Sequence, residues 1–242
     1  MARAIDGLAA LLFVGSAAVT VTWCASMTGM AGMDMPGGWT MSMTWMRMPG
    51  QSWPGAALTF LGMWTVMMVA MMLPALTPAV RGFPPAMGAR VAAAYFAVWI
   101  SFGLAAYPLG LLLAELAMRV PALARLVPAL AGVALAGAGV LQLSAWKRRQ
   151  LDCCGSLGRR RRIAGTRAAW RHGIALGLRC CACCAPLTAA LLVVGVMDLG
   201  AMAAATAAIA LERLAPRGAR FARLTGVLLL GAAAVWLLRV PG

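Results

Sequence analysis

The chain has 242 residues, 63% of them hydrophobic and only 11% charged, which is more apolar surface than one soluble core can bury. A soluble enzyme, a disordered segment and a disulfide-rich secreted module are excluded, and an integral membrane protein remains. The net charge of +15 would suggest nucleic acid in a soluble protein. Here the basic residues lie in short stretches between apolar runs, where cytoplasmic loops and anionic lipid account for them, so the lipid bilayer is the expected partner and nucleic acid is not.

Continuous Leu, Ala and Val-rich runs fall at 6–26, 54–76, 91–118, 121–145, 173–197, 200–214 and 220–239. Their continuity predicts helices rather than the alternating strands of a barrel. The expected fold is an all-α, polytopic transmembrane bundle of about seven spans, or six if the short Ala-rich run at 200–214 does not cross. The first run follows Arg3 and ends in Thr22-Trp23-Cys24-Ala25-Ser26 without a small-x-small cleavage pattern, so residues 1–26 read as a retained anchor. Residues 27–53 then form a methionine-rich periplasmic loop. Residues 54–242 form the main bundle, with a basic cytoplasmic loop at 146–172.

Charge orients this bundle. With the N-terminus in the cytoplasm, sixteen cations fall inside, among them Arg81, Arg90, Lys147, Arg148, Arg149, Arg159–Arg162 and Arg213; four fall outside, namely Arg47, Arg119, Arg125 and Arg239. The expected location is a bacterial inner membrane. Gly132, Ala136, Gly137 and Gly139 give the fourth span a smooth face for close helix packing. No internal repeat is present to suggest a pseudo-symmetric transporter.

Three features exceed what membrane residence requires. Met27, Met30, Met33, Met35, Met41, Met43, Met46 and Met48 crowd the outer loop. A loop has no core for them to fill, and thioether sulfur is a soft, non-titrating ligand suited to Cu(I). The alternative is an interfacial loop anchored in lipid by Trp39, Trp45 and Trp53. The second span holds Met63, Met67, Met68, Met71 and Met72. Positions 63, 67 and 71 share one face, as packing or as a ligand ladder. Pro74 opposes the carbonyl of Ala70 and interrupts that helix.

Six of the seven cysteines, Cys153, Cys154, Cys180, Cys181, Cys183 and Cys184, fall on the predicted reducing side, where structural disulfides are not expected. On a helix Cys180, Cys183 and Cys184 share a face, and three thiols on one face can hold a soft metal. At 1.5 Å per residue, Met67 and Met68 lie roughly 12–14 Å inward from Leu76, and Cys180 to Cys184 roughly 10–17 Å inward from Gly173. The two sulfur sets thus match in depth. Glu212 and Arg179 are intramembrane ionisable residues and hence functional candidates. Glu212 reads as a ligand, as an acceptor behind the ligands, or as the partner of Arg179. Cys153, Cys154 and the outer methionines are candidates for a relay. His172, the sole histidine, reads as a solvated loop residue.

The segment Met63-Trp64-Thr65-Val66-Met67-Met68-Val69-Ala70-Met71-Met72-Leu73-Pro74 resembles the MW-x-x-MM-x-AMM-LP signature of a bacterial family of predicted metal-binding integral membrane proteins. That family includes membrane copper chaperones serving polyphenol oxidases. Gly177 to Cys184 is similar to its G-x-x-C-x-x-CC motif. Gly195-Val196-Met197, Leu211-Glu212-Arg213, and Leu141-Gln142 with Lys147 and Cys153 resemble its shorter elements. The likeness spans roughly residues 60–230. The family pattern has a histidine where this chain has Leu176, and a Trp where Ala185-Pro186 follows the cysteine pair. The resemblance implies a copper-handling membrane protein with a cuproprotein client.

The resulting expectation is a Cu(I) chaperone or carrier. No acid–base pair, nucleophile–base pair or phosphate loop is present, so an enzyme is not expected. A membrane thiol–disulfide oxidoreductase using Cys180 and Cys183, or a structural subunit with sulfur as filler, is the alternative. An oligomer is compatible with all of these.

Overall fold

The computed structural model describes residues 2–28, 32–45, 50–158 and 165–240. Among them the chain is all-α apart from one short hairpin. The helices are α1 (Ala2–Thr28), α2 (Trp53–Val80), α3 (Pro85–Arg119), α4 (Pro121–Leu143), α5 (Ala145–Gly158), α6 (Thr166–Val194), α7 (Leu199–Leu214) and α8 (Gly218–Arg239). Six of them, all but α5 and α7, are long and apolar enough to cross a membrane.

Local chemistry sets the boundaries. Ser52 caps α2 by accepting from the Gly55 N–H at 3.2 Å, and Asp198 caps α7 by accepting from the Ala201 N–H at 2.7 Å, each satisfying a donor the first turn leaves orphaned. Pro85 and Pro121 open α3 and α4 at first-turn positions, where a missing N–H costs nothing. Gly195 ends α6 at φ +134°, a conformation side chains avoid. Within α2, Pro74 and Pro78 each remove one rung of the backbone ladder. Thr77, between them, donates its Oγ1 to the Leu73 carbonyl at 2.8 Å.

The helices alternate between two ends. Asp6 at the start of α1 pairs with Arg81 just after α2 at 2.5 Å. At the opposite end Cys24 meets Met197, which precedes α7, and Trp236 near the end of α8 donates to the Pro128 carbonyl near the start of α4. Helix α7 runs between the same two ends, from Met197 beside Cys24 to Glu212 beside Lys147, but in 16 residues, about 24 Å of helix. It is the short run of the sequence, below the length that spans a bilayer unaided.

Two predicted loops differ from expectation. The stretch 146–172 is largely helical: α5 covers Ala145–Gly158 and α6 begins at Thr166. Loop polarity concealed this, because α5 is held by a few buried residues, Lys147 and Cys154 among them, rather than by an apolar stripe. His172 lies on α6, buried and edge-on to Phe83, not solvated. In the methionine-rich stretch, β1 (Met33–Met35) and β2 (Trp39–Met41) form an antiparallel hairpin. Gly37 and Gly38 turn it at φ +104° and +74°. Met35 and Met41 do find a core, packed on Ala114, Ala117 and Ala124 of α3 and α4, and Trp39 Nε1 donates to the Ala124 carbonyl at 2.9 Å.

Burial separates the spans by role. In their most apolar windows α2 is 56% and α6 50% buried, against 33% or less for the other four. The two helices that carry the methionines and cysteines are therefore the centre of the bundle. Glycines bring α6 against α3: a Cβ at Gly173 would strike the Val91 carbonyl oxygen and Ala94, and one at Gly177 would lie 2.9 Å from Val98. Gly132 and Gly139 admit α8 in the same way, whereas Gly137 faces open space.

Candidate metal centre

The ladder on α2 faces inward along its whole length. Met63, Met67, Met68, Met71 and Met72 are all 5% exposed or less, because α2 is apolar on every side and surrounded by neighbours. On α6, spacing by three and four residues puts Cys180, Cys183 and Cys184 on the buried face, while Cys181 is half-buried and Arg179 exposed. Cys154 of α5 is buried and Cys153 half-buried.

The two sulfur sets meet through one methionine. Cys180 Sγ lies 3.9 Å from Met72 Sδ and 3.8 Å from Cys184 Sγ. Met67, Met68 and Met71 continue away from this contact within the same core cluster. Among the described residues no group of three or more His, Cys, Asp or Glu is arranged to hold a metal; the sulfur contact here combines two thiols with one thioether. Metal–thiolate bonds of roughly 2.3 Å, the zinc value, place the sulfurs of a trigonal site roughly 4 Å apart. The two edges at Cys180 match that spacing, and the donors are of the soft class that prefers Cu(I).

Polar groups converge on Cys180 from two other helices. Tyr95 of α3 donates its hydroxyl to Cys180 Sγ at 2.9 Å, and Arg213 of α7 donates Nη1 to the same sulfur at 2.8 Å. The thiolate is the ligating form of cysteine, and Arg213 is the countercharge placed to accompany it at a fully buried sulfur. Cys154 Sγ donates to the Arg179 carbonyl at 3.4 Å. Its thiol is held above the ordinary range, first by a hydrogen bond with Cys183 and then by burial.

Beside the thiols lies a second polar set. Lys147 Nζ, fully buried, is 2.6 Å from Glu212 Oε2 and donates to the Cys183 carbonyl at 2.7 Å. Gln142 Nε2 donates to Glu212 Oε1 at 2.6 Å. Glu212 thus has Lys147 as its cation, not Arg179. It sits one residue from Arg213, so the end of α7 braces both the thiol pair and the backbone of α6.

The remaining candidates are dispersed. Met27 and Met63 line a cavity at the methionine-rich end, Met33 is exposed, and Met35 and Met41 serve as core. Met43 lies in a short 3₁₀ turn, Met43–Trp45. Met30, Met46 and Met48 lie outside the described residues. Sequence reasoning missed Tyr95 and the contact roles of Arg213, Lys147 and Gln142. One signal was available: Lys147 is the only lysine among 21 basic residues. Nothing in the sequence separates Tyr95 from an interfacial tyrosine.

A family model described as "PpoB2: Copper chaperone" matches residues 61–236. The match takes in the whole α2 ladder, Tyr95, the cysteines of α5 and α6, and Glu212 with Arg213, and it leaves Cys24 and the methionine-rich loop outside. No curated protein and no solved structure matches the chain.

Proposed function

The chain belongs to the PpoB2 copper chaperone family, and from that premise we propose that it carries copper as Cu(I) within the membrane and hands it to a cuproprotein client. The observation that carries the reading is the contact of Met72, Cys180 and Cys184, soft donors at a spacing that suits a low-coordinate soft cation. The ion is cargo. The residues hold it, Tyr95 and Arg213 balance the thiolate, and no bond of a substrate is made or broken, so the protein is a carrier and not an enzyme.

The excess of cations at the end that bears α5 supports an inner-membrane orientation with that end in the cytoplasm. The methionine-rich hairpin then faces the periplasm. There, thioether ligands neither titrate nor form disulfides under oxidising conditions. Copper binding by reduced, detergent-purified protein tests this. Cu(I) is titrated in competition with a chromogenic chelator, and Zn(II) is titrated in parallel. Cu(I) is expected to bind and Zn(II) not to compete, with the site at α6 lost in a Cys180→Ser, Cys183→Ser, Cys184→Ser protein. Stoichiometric zinc without Cu(I) refutes the assignment.

A further inference from the structure

We propose a second Cu(I) site at the opposite end of α2, built from Cys24, Met197 and Met63. Cys24 is the one cysteine remote from the other six. It is 2% exposed, and its Sγ lies 3.8 Å from Met197 Sδ. That is the same spacing as between Cys180 and its sulfur neighbours, but it is made by different elements, α1 and the turn between α6 and α7. Beside the pair is a cavity of about 70 Å³ lined by Met197, Met63 and Met27 together with Trp23, Phe60 and Tyr107. Liquid water occupies roughly 30 Å³ per molecule, so the space admits an ion and a small co-ligand. Three thioethers line the cavity alongside Thr44, Gln51 and Thr59, and the Cys24 thiol touches one of them, Met197, from behind; sulfur donors of this kind favour Cu(I) over hard cations.

The site lies at the far end of the ladder already described. Met63 and Met72 are nine residues apart, about 14 Å along α2, and Met67, Met68 and Met71 lie between them, each 2% exposed or less. Buried thioethers therefore connect the two sites, with no charged side chain of α2 between them. The arrangement assigns Cys24 and Met197 to loading or release at the methionine-rich end, and the cysteines of α6 to retention at the other. This inference rests on the copper reading but names residues that reading does not use.

The test counts Cu(I) on full-length, reduced protein against a chelator such as bathocuproine disulfonate. Wild type is expected to hold two ions. Cys24→Ser with Met197→Leu leaves one, Cys180→Ser with Cys184→Ser leaves one, and the four changes together leave none. One ion on wild type, lost with Cys180 and Cys184 and unaffected at Cys24 and Met197, overturns the second site while the copper reading stands. No ion on wild type overturns both. Because a variant can fail to fold, alkylation of Cys24 in the unaltered protein is followed by mass spectrometry with and without Cu(I). At least tenfold slower labelling with Cu(I), and no slowing with Zn(II), supports the site; equal rates with and without Cu(I) overturn it.

Discussion

Replacing Lys147 with methionine removes the cation from a pair sealed inside the bundle. Lys147 and Glu212 have side chains 0% and 2% exposed. The ammonium has two partners to lose, Glu212 Oε2 and the Cys183 carbonyl. The carboxylate would keep only the Gln142 amide. Stranding one member of a buried pair costs about 3–5 kcal/mol, because the remaining charge is neither paired nor hydrated. Glu212→Met should cost a similar amount from the other side. Replacing both residues with methionine strands no charge and leaves mainly the Gln142 donor unsatisfied, about 1–3 kcal/mol. The double variant should therefore be no less stable than either single one, with a coupling energy of about 3–9 kcal/mol. Reversible unfolding in mixed micelles, driven by SDS and followed by helical circular dichroism, measures all three variants at pH 7. Additive losses, or a single variant within about 0.5 kcal/mol of wild type, would refute the claim that this pair is buried and mutually dependent.

Gly173→Ala should destabilise by about 1–3 kcal/mol and weaken Cu(I) binding. The added methyl meets the Val91 carbonyl oxygen and forces apart α3 and α6, the helices that hold Tyr95 against Cys180. Gly137→Ala, where nothing lies within 4 Å, serves as its control and should be neutral or stabilising by up to about 1 kcal/mol; equal losses in the two variants would contradict the packing argument. For sidedness, a reporter active only in the periplasm should be active when fused at Gly38, in the open hairpin turn, and silent at Gly158, at the end of α5. Activity at Gly158 would reverse the orientation derived from charge.

The helical class and the positions of the six long apolar helices were legible in the sequence, because a bilayer imposes a one-dimensional code: continuous apolar runs of a set length, punctuated by Pro, Gly and cations. The sulfur residues were legible as well, since eighteen methionines and seven cysteines stand out against Leu and Ala. Which of them meet was not. Depth arithmetic placed Met67 and Met68 level with the cysteines, but in the packed bundle it is Met72, one turn along from Met68, that meets Cys180. The helical state of residues 145–158 was hidden because its anchor is a buried ion pair rather than an apolar stripe. The pairing of Cys24 with Met197, 173 residues apart, exists only once α1, α6 and α7 are packed. Hydropathy along a chain reports how deep a residue lies; the azimuth of its side chain is decided by the neighbours it packs against, and a metal site depends on azimuth.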